Sequence, residues 1–313
     1  LIEAVRDADF VIEAIIEKLE EKRRVFQIID ENSPPHTILA TNTSSLPITE
    51  IASATRRPDK VIGMHFFNPP VLMPLVEIIR GKDTSDFTVQ ITNELAKKFG
   101  KQTVIVNKDI PGFIVNRILA RVFNSACNIV TEGKADIIEV DSTARYKLGF
   151  PMGIFELADY SGIDIFYYVL QVLVERGFKV HGCNLFLEKF KAGEYGVKTG
   201  KGFYTYPSPG KFVKPELPKE KSEKLNPLYI IALAINEAAW MVREGIASKE
   251  DIDKACRLGL GYPKGVFEYA DEFGIDNVVK ILEEIKKEKG WEEYSPDPLL
   301  IQMVNEGRLG IKS

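Results

Sequence analysis

Cysteine, histidine and tryptophan are scarce in this sequence, which contains three, three and two of them. The cysteines lie far apart without CxxC spacing, so we expect a reducing compartment and neither a disulfide framework nor a zinc site. The histidines form no HExxH motif or similar ligand set, and we therefore predict no metal site. These residues are Cys127, Cys183 and Cys256, and His36, His65 and His181.

Long apolar runs and an excess of positive charge are also missing. No apolar run is long enough to span a membrane, and no signal peptide is visible, so we expect a cytoplasmic protein without a membrane partner. The net charge of −4 argues against nucleic acid or an anionic membrane surface as the main partner. A chain of 313 residues is long enough for two or three domains.

Strand-like and helix-like patterns alternate over the first hundred residues. Short apolar runs predict strands at 9–14, 37–40, 60–67, 75–79 and 103–107. Helical spacing between them predicts helices at 20–32, 47–54 and 87–99. This alternation predicts an open α/β sheet, in which ligands bind outside the carboxyl ends of the strands. Because Asn42, Ser44 and His65 fall at or near such ends, we expect a site there.

A histidine and a carboxylate, His65 and Glu77, lie on two successive predicted strands joined by the Pro-rich turn Asn68–Pro70. An imidazole oriented by a carboxylate is a general base that works near neutral pH. The alternative is an ordinary buried histidine of the core, because Phe66 and Phe67 follow it directly.

Two short polar side chains, Ser44 and Asn116, could hold a substrate oxygen. Asn116 comes early in a long helical pattern, residues 113–131, from which it could reach the sheet and place the reacting centre between two domains. The alternatives are a helix cap for Ser44 and an interdomain hydrogen bond for Asn116.

The pattern changes near Asp109, after which the sequence reads as helices and loops. Segment 132–164 recurs without a gap at 244–276, and a period this long indicates domain duplication. We expect each copy to offer an apolar helical face that the other covers.

Segment 196–206 (GVKTGKGFYTY) ends the first copy, and a Pro- and Lys-rich linker follows at 207–224. The final GIKS, residues 310–313, resembles GVKT at the start of that segment. The sequence stops where a second GKGFY would begin, and its first residue is Leu1, so both ends look cut.

Four motifs in this order closely resemble those of L-3-hydroxyacyl-CoA dehydrogenases: NTSSLPI, GMHFFNPP, LVEII and KDIPGFIVNRIL. The duplicated segment FPMGIFELADYSGID and GVKTGKGFY are similar to that family's helical domain. The resemblance implies a Rossmann-like dinucleotide-binding domain, followed by a duplicated all-α domain like the C-terminal domain of 6-phosphogluconate dehydrogenase. We place the first domain at 1–108, the two helical copies at 109–206 and 225–313, and the linker at 207–224.

The resemblance also implies NAD-dependent oxidation of (3S)-3-hydroxyacyl-CoA to 3-ketoacyl-CoA, in fatty-acid β-oxidation or a related pathway. It implies that His65 is the base, that Glu77 is its partner, and that Ser44 and Asn116 contact the 3-oxygen. The cofactor contacts that it implies are Glu17, Lys22, Asn42, Ser44 and Asn68. Similarity to multifunctional β-oxidation proteins implies a fused or partner enoyl-CoA hydratase.

The sequence departs from the family in one place, because it lacks the GxGxxG loop and the strand before it. We therefore expect a dinucleotide domain that is incomplete at its N-terminus, exposes a sheet edge and binds NAD poorly. An alternative function is a catalytically silent fragment that acts in CoA binding or assembly. A third is a related dehydrogenase that acts on a hydroxy acid without CoA.

Overall fold

The computed structural model describes residues 1–307. The resemblance of residues 310–313 to GVKT therefore lies outside the described residues. The strands are β1 (Phe10–Glu13), β2 (Ile38–Thr41), β3 (Val61–Phe66), β4 (Leu75–Arg80) and β5 (Gln102–Val106). The helices are α1 (Ile2–Val5), α2 (Leu19–Asn32), α3 (Ile48–Ala52), α4 (Asp86–Lys98), α5 (Val115–Thr131), α6 (Ile137–Tyr146), α7 (Ile154–Ser161), α8 (Ile163–Glu175), α9 (Leu185–Lys191), α10 (Leu228–Arg243), α11 (Lys249–Leu260), α12 (Val266–Phe273), α13 (Ile275–Lys289) and α14 (Pro298–Asn305).

The chain divides into two compact units. The first contains residues 1–117 together with 241–260, and the second contains 118–240 together with the residues from 261 onward. The first unit holds the whole sheet and also α11, which belongs to the second copy of the repeat. Among the described residues, no single helix is long and apolar enough to cross a membrane, although the pair α7 and α8, bent by 100°, passes that test by length and composition alone.

The five strands form one sheet in the order β1-β2-β3-β4-β5. β1, β2 and β3 run parallel, β4 runs antiparallel to β3, and β5 runs parallel to β4. The carboxyl ends of the first three strands therefore meet at one edge of the sheet. This arrangement confirms the predicted α/β sheet.

One cluster of the core of the first unit lies against one face of the sheet. Alternate residues of a strand point to the same face, and those of β2, β3 and β4 pack against α4. The buried residues of this cluster are Ile38, Ala40, Ile62, Met64, Val76, Ile78, Val89 and Ala96. Every residue of β2 is buried, as expected for a central strand covered on both faces.

Buried carboxylates hold together the first copy of the repeat in the second unit. Asp141 of α6 accepts hydrogen bonds from the backbone N–H groups of Phe155 and Glu156, in the first turn of α7. Asp159 of α7 accepts hydrogen bonds from two backbone N–H groups of the GKGFY segment and from the hydroxyl of Tyr206. The segment that ends the first copy is therefore fixed to its helices by hydrogen bonds inside the protein.

One expectation from the sequence is wrong, because Cys127 and Cys183 form a disulfide. Cys127 lies in α5 and Cys183 lies before α9, and their Cα atoms are 5.6 Å apart although 56 residues separate them in the sequence. The expectation rested on sequence spacing, which does not limit the distance between side chains after folding. Cys256 is a buried free cysteine.

Candidate functional site

Antiparallel pairing of β3 and β4 places His65 directly opposite Glu77. Side chains that face each other in this way lie close enough to interact, and the imidazole Nδ1 is 2.7 Å from the Oε2 atom of the carboxylate. Both side chains are buried, with exposed fractions of 5% and 0%. The pair predicted from the sequence is thus present as a hydrogen-bonded unit.

The other oxygen of the Glu77 carboxylate is held by the backbone. The N–H groups of Ile114 and Val115 each donate a hydrogen bond of 3.0 Å to Oε1. They follow Gly112 and Phe113, which both have left-handed backbone conformations with φ of 78° and 51°. Helix α5 begins only after this turn, at Val115, rather than at residue 113 as the helical pattern predicted.

Two phenylalanine rings pack against the imidazole. The ring centroids of Phe67 and Phe113 lie 4.6 Å and 5.9 Å from that of His65. The imidazole is therefore fixed by ring contacts and by one hydrogen bond through Nδ1. A neutral imidazole that donates through Nδ1 carries its lone pair on Nε2, which is the nitrogen that can accept a proton.

The loop after β2 is hydrogen-bonded to Phe66, which follows His65, and to Asn116, which follows one of the amides that hold Glu77. Asn42 accepts a hydrogen bond of 2.8 Å from the backbone N–H of Phe66, the residue after His65. Asn116 donates a hydrogen bond of 3.2 Å from Nδ2 to the backbone oxygen of Ser44. The structure thus brings Asn42 to the residue after His65 and brings Asn116 to Ser44.

The alternative interpretation of Ser44 as a helix cap is wrong. Helix α3 begins at Ile48, its N-cap residue is Pro47, and that cap makes no side-chain hydrogen bond. The backbone N–H of Ser44 instead donates to Glu17.

A cluster of two acids and a lysine lies at the carboxyl end of β1. Glu17 accepts hydrogen bonds from the hydroxyl of Thr43 and from backbone N–H groups of the loop after β2. Lys22 is buried and lies 2.8 Å from a carboxylate oxygen of Glu13 and 3.7 Å from one of Glu17. The side chain of Glu17 remains 38% exposed, so its carboxylate is also accessible from the surface.

Asn68 lies apart from these contacts. It is exposed and precedes a cis peptide bond to Pro69, in the turn between β3 and β4. Its side chain has no hydrogen bond within the part of the chain that the structure describes. The same turn exposes two apolar side chains, Val71 and Leu72.

Sequence reasoning missed the backbone amides that hold Glu77 and the ring of Phe113. The predicted helical pattern starts directly after Gly112, and a glycine at that place is also a signal for a left-handed turn. Among residues 1–307, no group of three or more histidine, cysteine, aspartate or glutamate side chains could hold a metal ion.

Comparisons with known proteins identify the family to which this geometry corresponds. The sequence model described as "3-hydroxyacyl-CoA dehydrogenase, NAD binding domain" matches residues 1–110, and that of the C-terminal domain of the same family matches residues 112–206 and 229–313. The two matches together cover nearly the whole chain.

Individual relatives agree with this match. The fatty acid oxidation complex subunit alpha of Idiomarina loihiensis is 40% identical over 96% of this chain and 44% of its own length. A probable 3-hydroxybutyryl-CoA dehydrogenase of Bacillus subtilis is 47% identical over 66% of this chain and 72% of its own length. The crystal structure of 3-hydroxybutyryl-CoA dehydrogenase from Escherichia coli K12 superposes with a TM-score of 0.87 at 28% identity, covering 97% of this chain and 83% of the other. The chain spans less than half the length of the complex subunits that it matches.

Proposed function

Because the chain belongs to the 3-hydroxyacyl-CoA dehydrogenase family, we propose that it carries out the NAD-dependent oxidation of (3S)-3-hydroxyacyl-CoA to 3-ketoacyl-CoA. The observation that carries this proposal is the buried His65–Glu77 pair at the end of β3. Burying a carboxylate and an imidazole almost completely is expensive, and a general base is a function that requires such a pair.

His65 acts as the general base through Nε2, which takes the proton of the substrate's 3-hydroxyl group. Glu77 keeps the ring in the tautomer that leaves Nε2 unprotonated, and its negative charge stabilises the imidazolium that forms. The backbone N–H groups of Ile114 and Val115 in turn fix the carboxylate. We assign the 3-oxygen contacts to Ser44 and Asn116, since one Asn116 N–H already donates to the Ser44 backbone and its amide group has a second N–H to offer.

The residues at the carboxyl ends of β1 and β2 fit a dinucleotide, because this edge is where open α/β sheets bind ligands. Glu17 would hold the cofactor together with Asn42, Ser44 and Asn68, and its side chain, which is 38% exposed, is suited to accept hydrogen bonds from hydroxyl groups. Lys22 is buried and would act by fixing Glu17. NAD supplies the hydride acceptor when it is bound.

We also propose that an enoyl-CoA hydratase, fused or associated, supplies the substrate, since hydration of a 2-enoyl-CoA yields a 3-hydroxyacyl-CoA. Support for this comes from relatives named as the alpha subunit of a fatty acid oxidation complex. This chain spans about 44% of the length of such a subunit. Crotonyl-CoA hydration by the native protein, purified from its source, would test the association.

Replacing His65 with alanine should reduce turnover by about two to four orders of magnitude, as expected for loss of a general base. Turnover is measured as NADH oxidation with acetoacetyl-CoA, and binding of NADH by fluorescence titration serves as the control, which we expect to change little. Free acetoacetate in place of the thioester tests the alternative of a dehydrogenase for hydroxy acids without CoA. Acyl-CoA binding without any turnover in the unmodified protein would favour the alternative of a silent binding segment.

Replacing Glu77 with glutamine should preserve the fold and lower kcat by about two orders of magnitude or more, because an amide that donates to Nδ1 selects the opposite tautomer of His65. The KM for acetoacetyl-CoA should change by less than about threefold, since Glu77 is fully buried and acts through His65. Loss of the folded state in this variant, measured by circular dichroism, would instead assign Glu77 to the core alone.

A further inference from the structure

The turn before α5 contains an unusual backbone conformation. Phe113 has a φ of 51° and is the one residue other than glycine with a positive φ among residues 1–307. A bulky side chain is rare in this left-handed region, and such a residue persists only when its surroundings determine its conformation. Phe113 is completely buried, so contacts inside the protein determine its conformation.

This turn directs two consecutive N–H groups to one atom. After the left-handed residues Gly112 and Phe113, the amides of Ile114 and Val115 both point at Oε1 of Glu77, each at 3.0 Å. Successive backbone amides arranged in this way form a concave anion-binding site, here occupied by a side-chain carboxylate. The geometry of Glu77 therefore depends on the backbone conformation of the turn.

The side chain of Phe113 reaches the other member of the pair. Its ring centroid lies 5.9 Å from that of His65, with the planes inclined by 58°. A single residue thus contacts the imidazole with its ring and, through its backbone, sets the amides that hold the carboxylate.

We infer that Phe113 is a positioning residue for the His65–Glu77 pair, because burial of its ring holds the left-handed turn that aims the Ile114 and Val115 amides at Glu77. The effect of Phe113 on catalysis rests on the proposed function, whereas its effect on the geometry of the His65–Glu77 pair does not. If Phe113 only filled space in the core, alanine at this position would be tolerated at least as well as glycine, since alanine leaves the smaller cavity. If the turn matters, glycine is better tolerated than alanine, because glycine adopts a positive φ without strain.

The tautomer of His65 provides a readout that does not require activity. The chain contains three histidines, so long-range ¹H–¹⁵N spectra of histidine-labelled protein resolve each ring, and a His65→Asn variant assigns the signal. With a neutral ring, the unmodified protein should show His65 as the Nδ1–H tautomer, fixed by Glu77. In Phe113→Ala this should become a mixture of tautomers, while Phe113→Gly retains more of the Nδ1–H form.

Activity gives the second readout. We expect kcat with acetoacetyl-CoA and NADH to fall about 10- to 100-fold in Phe113→Ala, as for a small misplacement of reacting groups. Phe113→Gly should retain about three- to fivefold more activity than Phe113→Ala, and KM should change little in either variant. Phe26→Leu is the matched control, because Phe26 is equally buried but lies in α2, and it should leave the tautomer and kcat unchanged.

If Phe113→Ala fails to fold, a pair of glycine variants decides the question. Gly112 and Gly100 have φ of 78° and 75°, so alanine introduces similar backbone strain at both. Gly112→Ala should disturb the His65 tautomer, whereas Gly100→Ala, at the end of α4, should not.

The inference is overturned if Phe113→Ala keeps the Nδ1–H tautomer, or if alanine preserves the tautomer as well as glycine does. Should the Phe113→Ala variant not fold, an unchanged tautomer in Gly112→Ala overturns it. A protein with the expected tautomers but no turnover would refute the proposed function and leave the inference intact.

Discussion

The two copies of the repeat place corresponding helices, α6 and α11, against different neighbours. Helix α6 packs against α7 and the short 3₁₀ turn at 219–223 in the second unit. Helix α11 packs against β4 and β5 in the first unit. The same sequence pattern thus forms a helix that packs against helical segments in the first copy. In the second copy it forms a helix that covers the edge of the sheet.

Substitutions between the copies give the two helices different hydrogen bonds. Glu139 of α6 closes a capping box with Asp136, whereas the corresponding Asp251 accepts a hydrogen bond from the backbone N–H of Ile105 in β5. Lys254, which corresponds to Ser142, donates to the backbone oxygen of Thr103 in the same strand. An edge strand has unpaired N–H and C=O groups, and α11 satisfies some of them with its side chains.

The largest expected effect concerns the pH dependence of stability that Asp141 of the first copy causes. Burial raises the pKa of this carboxyl to about 7, against the hydrogen bonds from Tyr204, Phe155 and Glu156 that lower it. A pKa that is higher in the folded protein means that folding favours the protonated form. Its contribution to stability is therefore fully present below pH 4 and is lost as the pH rises to about 7, by up to roughly 4 kcal/mol.

Urea unfolding of the unmodified protein and of Asp141→Asn between pH 4 and pH 8 measures this contribution. We expect the advantage of the unmodified protein over the variant to shrink as the pH rises and to become constant above pH 7. Removing the hydroxyl group in Tyr204→Phe should extend the decline to higher pH, because the carboxylate loses a donor that stabilises its charge. A difference that does not depend on pH would show that Asp141 keeps an ordinary pKa in the folded protein.

The sequence predicted some of the features of the two units and missed others. It predicted the repeat and the strands that carry His65 and Glu77, because apolar periodicity and self-similarity are local features of a sequence. It did not reveal that Asp141 and Asp159 fix the GKGFY segment, since their partners are backbone amides and hydroxyls distant in the chain. The identity of Asp159 and Asp271 in the two copies was a signal, but identity alone does not name a partner.

The site shows the same limit. The direct pairing of His65 with Glu77 follows from the strands and the turn that joins them, which the sequence predicted. The left-handed conformation of Phe113 could not be predicted, because it is stabilised by burial rather than by local preference. Whether Glu17, Lys22, Asn42 and Asn68 bind the cofactor remains a prediction.

The two copies also differ in side-chain size at the position that follows α6 and lies near the end of α11. Gly259 of α11 corresponds to Lys147 in the first copy, and a Cβ atom at Gly259 would lie 2.9 Å from side-chain atoms of Leu75 and Val115. Gly259→Lys should therefore destabilise the protein by about 3 kcal/mol, and Gly259→Ala by less, because the buried neighbours must move. The midpoint of thermal unfolding measures both effects.

The reciprocal variant, Lys147→Gly, is the control. Lys147 is partly exposed and pairs with Glu223 across 2.6 Å, so its loss should cost less than about 1 kcal/mol. Equal effects of the two exchanges would mean that α11 approaches the sheet no more closely than α6 approaches its own neighbours.

The smallest expected effect concerns the hydrogen bond from β5 to Asp251. Asp251→Ala should cost about 2 kcal/mol, because the half-buried N–H of Ile105 loses its acceptor. Amide hydrogen exchange at Ile105 should accelerate in this variant and not in Glu139→Ala, which removes the corresponding carboxylate of α6. Glu250→Ala, next to Asp251 but 70% exposed, should change stability by less than about 0.5 kcal/mol. If exchange at Ile105 stays slow without Asp251, the edge of the sheet is protected by the bulk of α11 and not by its carboxylate, and the difference between the two copies lies in packing alone.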